Sequence, residues 1–217
     1  MAASNVDTVK AFSGEKNDSP KLAKKALHEL YSIEESGVPL NTPWTFWLDK
    51  TIRGTTAAEY EASLRKLYTV NTVEGFWSVY NNIPNPGIIS TRYSYHLMRH
   101  QIRPIWEDED NSAGGNWRLK CHKFDTVDVW KELLLAAIGE QFSNCMGDGD
   151  EVTGISVSLR DRDDILQIWN SRADLAEQST IINKVKSLLP NVTFTAVFYK
   201  AFVQHDAFEG KKPHQHR

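Results

Sequence analysis

The sequence predicts an α+β fold: a single curved antiparallel β-sheet with three helices packed on its convex face. Two observations carry that prediction. The hydrophobic period switches repeatedly between 2 and about 3.6 along the chain, and several strand-like stretches lie too close together for a parallel crossover. In order they are PWTFWLD (43–49), LRKLYTV (64–70), YSYHLMR (93–99), NWRLKC (116–121), TGISVSLR (153–160), DILQIWN (164–170) and VTFTAVFYK (192–200). The charged turn Asp161-Arg162-Asp163 between the fifth and sixth is a hairpin signal.

Three helical patterns interrupt the strands. The first has Val73, Phe76, Trp77 and Tyr80 at i, i+3, i+4, i+7, with Asn71 and Glu74 spaced as a capping box. The second carries Val129, Trp130, Leu133, Leu134, Ala137 and Ile138, and the third Ile181, Ile182, Val185, Leu188 and Leu189. With helices on one face, the other face of the sheet stays partly open to a ligand. Residues 1–37, polar and lysine-rich, are expected to be a flexible leader with a short helix at LAKKALHELY, residues 38–204 the folded domain, and 205–217 a disordered tail.

Composition narrows the function. At 217 residues the chain suits one domain, and 41% hydrophobic with 24% charged residues falls in the globular range. The net charge of −3 argues against a general nucleic-acid binder, so any RNA must be held at a local site. Tryptophan is in surplus, at 44, 47, 77, 106, 117, 130 and 169. Most belong in a core, yet indole is also the best ring for holding a cation. Cys121 and Cys145 make no metal-ligand spacing, so no metal or cofactor is expected. The opening MAASNVDTVK lacks a basic start followed by an apolar run, and the longest apolar stretch, LLLAAI, is far short of a membrane span. A cytoplasmic setting is expected, with the nucleus as a second location, and no membrane contact.

Several catalytic signatures are missing: GxxxxGK[ST], GxSxG and HExxH. His96 and His100 are four apart in a strand-and-turn region, where that spacing does not bring two rings together; both are expected at the surface. The acidic run Glu107–Asp110 fails as a calcium loop, because Ala113 and Leu119 fall where glycine and the bidentate glutamate are needed. Asp108, Glu109 and Asp110 are expected as solvated loop charge.

Trp106-Glu107, after the turn at Pro104, is different. Methylation of guanine at N7 makes the base cationic, and a ring stacked on it gains about 2 kcal/mol once desolvated. The neighbouring carboxylate can accept hydrogen bonds from N1–H and the exocyclic amine, a donor pair that adenine lacks. Arg160 and Arg162 supply fork-shaped donors suited to phosphates, or pair with the aspartates of their own turn.

The chain resembles the cap-binding translation initiation factor 4E family, its type 3 class most of all, over about residues 38–200. The resemblance is carried by PWTFWLD, TVEGFWSVYNNI, IRPIWEDEDNSAGGNW, WKELLLAAIGEQF and GISVSLRDRDDILQIWN, in the family's order and spacing. It implies that Trp106 is one side of a sandwich around 7-methylguanine, that Glu107 reads the base, and that Trp169 touches the N7 methyl. It also implies that Arg160 and Arg162 contact the phosphates, and that Tyr60, in the loop between the first two strands, is the second stacking ring. Vertebrate type 3 proteins carry a cysteine at the Tyr60 position. Ile165 and Asn116 stand where better-known members have basic residues, which implies weaker phosphate attraction. The resemblance further implies a partner surface on the helical face, made by Pro39, Val73, Trp77, Glu132, Leu135 and Gly139. It takes a scaffold of the 4G type or a 4E-binding protein through a helix bearing a tyrosine and a following leucine.

The expected function is therefore a monomeric, non-enzymatic module that binds 7-methylguanosine-capped messenger RNA and links it to initiation machinery or regulators. Two alternatives stand beside it. One is an adaptor or translational repressor of the same fold with a weakened cap pocket; the other is a cap-hydrolysing enzyme, which the scarcity of clustered acids disfavours.

Overall fold

The structure is a computed structural model that describes residue 30, residues 32–50, residue 54 and residues 56–203. Seven strands form one sheet: β1 (Pro39–Lys50), β2 (Arg65–Thr72), β3 (Tyr93–Arg99), β4 (Gly115–Cys121), β5 (Val152–Ser158), β6 (Asp164–Asn170) and β7 (Ala196–Ala201). Their spatial order is β2-β1-β3-β5-β6-β4-β7, and every neighbouring pair is antiparallel. The helices are α1 (Ala57–Ser63), α2 (Val73–Asn82), α3 (Thr126–Ile138) and α4 (Ile181–Leu188), with 3₁₀ turns at Ser143–Cys145 and Ala173–Gln178. The predicted α+β class and the three expected helices are present.

Alternation along the strands sorts side chains into two layers. Trp44, Phe46 and Leu48 of β1, Tyr95 and Leu97 of β3, Trp117 and Leu119 of β4 and Leu166 and Ile168 of β6 face the helices. There they meet Phe76 and Val79 of α2, Trp130, Leu133 and Leu134 of α3, and Ile181 and Val185 of α4 in one continuous core. On the other face a smaller cluster gathers Trp47, Met98, Trp169 and Phe202, with Leu64, Ile102 and Trp106 against it. Five of the seven tryptophans are thus buried. The two left half-exposed, Trp77 and Trp106, lie on opposite sides of the sheet.

Three local expectations are corrected. The cap of α2 is Thr72, whose hydroxyl accepts from Gly75 N–H at 3.0 Å. The spacing of Asn71 and Glu74 is not used as a box, because Glu74 reaches back to accept Val38 N–H at 2.7 Å and ties the entrance of β1 to α2. The segment between β1 and β2 contains α1, and its capping box is Thr56–Glu59. Ordered chain also begins before residue 38: residues 32–36 are helical, Leu30 is fully buried in the core, and Glu34 accepts Asn71 N–H at 2.9 Å. The rest of the expected leader (residues 1–29 and 31), most of its LAKKALHELY helix, and the 205–217 tail lie outside the described residues.

Arg99, at the end of β3, locks sheet to helices. Its guanidinium stacks on Trp44 at 4.5 Å, donates to Val152 O and Thr42 Oγ1, and grips Glu140 with two bonds of 2.7 and 2.9 Å. Burial raises the Glu140 carboxyl pKa, but its bonds to Arg99 outweigh this and hold the group below its ordinary value. A carboxylate depressed in the folded state stabilises above its unfolded pKa and loses that contribution as pH falls through its folded one. Glu140→Gln is therefore expected to flatten the acid limb of a stability-against-pH curve below about pH 4.5. Glu140→Leu, which leaves the buried Arg99 with only the exposed Glu151 carboxylate at 3.5 Å, is expected to cost about 3 kcal/mol in urea unfolding at neutral pH.

Candidate functional site on the concave face

The loop from β3 to β4 is a series of tight turns built around Asn111. That buried side chain donates to Arg103 O and Ile105 O, both at 2.7 Å, and so fixes the backbone on either side of Pro104. Where the loop enters β4, a side chain on Gly114 would stand 1.9 Å from Asn170 O. Trp106 leaves this loop half-buried against the Trp47–Met98–Trp169–Phe202 cluster, and Glu107 beside it is exposed. Asp108 is not free loop charge as expected: it accepts Arg103 Nε at 2.8 Å. Glu109 and Asp110 are exposed.

α1 is docked on this loop. Arg103 pairs with Glu61, and the Tyr60 hydroxyl lies 3.2 Å from Asp49 Oδ2 and 3.3 Å from Pro104 O. Tyr60 thus comes to the loop that bears Trp106, but from a helix rather than a loop. Burial, then the adjacent Asp49 and Glu107 carboxylates, push its phenol pKa well above the usual range.

Beneath Tyr60 runs a polar chain that no sequence pattern indicated. Asp49, 1% exposed, accepts from Tyr60 and lies 2.7 Å from His96 Nε2. His96 Nδ1 lies 2.7 Å from Ser156 Oγ, which accepts Trp169 Nε1–H at 2.9 Å. With Nε2 carrying the imidazole proton, every link is satisfied: indole to serine, serine to imidazole, imidazole and phenol to carboxylate. His96 is therefore buried, not at the surface as expected; His100 is exposed. The chain spans β1, β3, β5 and β6 and joins α1 to the floor of the concavity. Trp169 forms that floor, tilted at 51° to Phe202 with ring centroids 5.0 Å apart. Gly154 opposes Trp169 on β5 and leaves room there: a Cβ would meet Met98 Sδ at 2.2 Å.

Arg160 and Arg162 are exposed in the β5–β6 turn, and among the described residues neither forms an ion pair with the turn's aspartates. Asp163 is taken by Lys120 and His122, each at 3.2 Å, and Asp164 by Lys123 and Thr126 at 2.9 Å each. Two further cations, Arg118 on β4 and Lys200 on β7, lie on the same face. Asn116, where the resemblance places an arginine in other members, accepts Arg118 Nε at 3.0 Å.

The expected partner residues lie on or beside the helical face, apart from the concave site. Val73 and Trp77 are half-buried on α2, with the Trp77 ring edge-on to Phe76 at 5.3 Å and to Tyr80 at 5.7 Å. Glu132 and Leu135 are half-buried on α3, while Gly139 at its end and Pro39 at the start of β1 are exposed.

The described residues thus form a curved sheet with a half-exposed tryptophan and an exposed carboxylate beside unpaired cations on one face, and a half-exposed tryptophan on a helix of the other. The chain belongs to the eukaryotic initiation factor 4E family, whose model matches residues 39–216. It is 36% identical over 170 residues to initiation factor 4E-1 of Phaseolus vulgaris, covering 77% of this chain and 72% of that one. To the Cucumis melo 4E-1 factor it is 36% identical over 193 residues, covering 87% and 77%. Among solved structures it is similar to Caenorhabditis elegans eIF4E-3 in complex with the 4E-binding protein Mextli and a cap analog, with TM-score 0.67, 31% identity and coverage of 76% and 92%. It is also similar to Ascaris suum eIF4E-3 with an m2,2,7G cap, with TM-score 0.65, 29% identity and coverage of 76% and 91%.

Tyr95 is buried and Tyr60 half-buried, and both phenols are held well above their ordinary value by desolvation first of all. A neutral form favoured only in the folded state stabilises below the unfolded pKa of about 10 and ceases to do so as pH rises through the folded one. In an ultraviolet titration of the native protein these two tyrosines are expected to stay protonated until alkaline unfolding. Asp49→Asn is expected to let Tyr60 ionise at lower pH.

Proposed function

We propose that the chain binds the 7-methylguanosine cap of messenger RNA on its concave face and delivers it to initiation machinery or its regulators through α2 and α3. Membership of the family and likeness to two cap-bound eIF4E-3 structures support this reading. The observation that carries it is a half-exposed Trp106 next to an exposed Glu107 on one braced loop, packed against the cluster that holds Trp169, with the Tyr60 hydroxyl reaching Pro104 O of the same loop. In this reading Trp106 stacks on the cationic base, Glu107 accepts from its Watson–Crick edge, and Trp169 packs against the methyl group. Tyr60 closes the other side, its hydroxyl tethered to Asp49, and Arg160 and Arg162 meet the phosphates. The type 3 likeness of the solved neighbours supports that subclass, with a tyrosine in place of the cysteine of vertebrate members.

The module performs no bond-breaking step in this reading: it holds its ligand by stacking, hydrogen bonds and charge. It works in the reducing cytoplasm, where Cys121 and Cys145 stay thiols. Burial above all pushes the Cys121 thiol up to about 11, which keeps it unreactive. On the other face the half-exposed Trp77 is the anchor for an amphipathic partner helix. C. elegans eIF4E-3 is solved with a 4E-binding protein, Mextli.

Titration of tryptophan fluorescence with m7GTP and with GTP tests the cap reading. The methylated nucleotide is expected to bind at least tenfold more tightly, and Trp106→Ala to remove at least a factor of ten, about 1.4 kcal/mol. Equal affinity for GTP and m7GTP would overturn the assignment. Trp77→Ala is expected to weaken a helical peptide bearing the tyrosine and leucine by tenfold or more while m7GTP affinity stays unchanged.

A further inference from the structure

Beyond the base-binding hollow, the concave face continues across β4 to β7, the edge strand. Paired residues in an antiparallel sheet project on the same side, so the strand registers define lateral rows. One row runs His96, Ser156, Gln167, Arg118, Phe198, and the next runs Met98, Gly154, Trp169, Asn116, Lys200. Phe198 therefore stands on the concave face beside Arg118, while its neighbour Tyr199 turns to the core and packs on Trp117 at 5.0 Å. Phe198 is 51% exposed, unlike Phe202 four residues on, which is buried against Trp169.

The cations nearest this ring in the strand register are Arg118 across from it and Lys200 two residues on, while Lys120, farther along β4, is paired with Asp163. Among the described residues no carboxylate lies within ion-pair distance of Arg118, Arg160 or Lys200. The Arg118 guanidinium is held below its usual value by burial and then by Arg160, and the Lys200 ammonium by burial and then by Arg118. Three cations that repel one another, with an exposed phenyl ring at their outer end, are stabilised by a polyanion that carries a flat group. From Trp169 to Phe198 is two strand spacings, about 10 Å, across the sheet and two residues, about 7 Å, along β7, or roughly 12 Å in a straight line. That is the scale of a 5′–5′ triphosphate between two nucleosides.

We propose that Arg118, Lys200 and Phe198 form a second subsite, in which the triphosphate bridge lies on the two cations and the base of the first transcribed nucleotide stacks on Phe198. The proposal rests on the cap reading and extends it from a nucleotide to a dinucleotide footprint. Arg118 and Lys200 supply positive charge that Ile165 and Asn116 do not. Phe198 accepts any base, because every base presents a π face.

The test uses the full chain with three probes: m7GMP, m7GTP and the dinucleotide m7GpppA. Phe198→Ala is expected to lower m7GpppA affinity roughly tenfold and m7GTP affinity, where there is no second base, by less than about twofold. Phe198→Trp should restore the dinucleotide affinity and Phe198→Leu should not, which separates stacking from mere bulk. Arg118→Gln and Lys200→Gln are expected to weaken m7GTP severalfold more than m7GMP and to reduce the salt dependence of its binding. Phe198 is exposed, so unchanged thermal midpoints are expected to show that the variants fold. If Phe198→Ala leaves m7GpppA affinity intact, the ring belongs to another contact, such as a protein partner, and the proposal is overturned. If the wild-type chain ignores m7GTP altogether, the cap reading itself has failed and this subsite goes with it.

Discussion

The concave face depends on one buried carboxylate. Asp49 accepts from a phenol above it and an imidazole beside it, and through Ser156 that imidazole is linked to the indole of Trp169. Four strands and a helix that are far apart in sequence are thereby held in one arrangement. A buried polar chain is stabilising only when each member is satisfied, and here donors and acceptors alternate without a gap. Because Trp169 N–H and Tyr60 O–H are both committed to the chain, the two rings keep fixed orientations before any ligand arrives. Preorganisation of this kind reduces the conformational entropy lost on binding.

The apolar layer beneath is larger but less specific. Trp44, Trp130, Phe46 and Phe76 fill the space between sheet and helices, and many combinations of similar volume would do so. What selects this arrangement is the set of polar ties at its margins. Arg99 and Glu140 join β3 to the end of α3, Glu74 joins α2 to the entrance of β1, and Thr72 caps α2. Each lies where a strand meets a helix, so each sets the position of one layer on the other.

Much of this was legible in the chain. The strands at YSYHLMR and DILQIWN have the bounds that their alternation predicts, and Trp106-Glu107 announces itself as a ring followed by a carboxylate. Tyr60 is implied by the family resemblance, but α1 around it is not legible, because seven residues carry too little periodicity to stand out. Its capping box at Thr56 and Glu59 was the available signal. The association of Asp49, His96 and Ser156 is not legible in the sequence because strand pairing creates it over 47 and 60 residues of chain. The clue was parity: each sits on the alternation opposite to its strand's core residues, yet has polar character where Trp47, Met98 and Trp169 are apolar. Arg118 and Lys200 are alike in this respect, being unremarkable until β4 and β7 pair.

The sheet that separates the two binding surfaces is one residue thick. In β1, Trp44, Phe46 and Leu48 belong to the helical side and Trp47 and Asp49 to the hollow. Evolutionary drift on one side thus proceeds without touching the other, so long as strand length is conserved. A one-residue insertion inside β1 would send each of these side chains to the wrong bank, and both surfaces would be lost together. Relatives that differ in length are accordingly expected to differ in the connections between strands, where an added residue shifts no alternation.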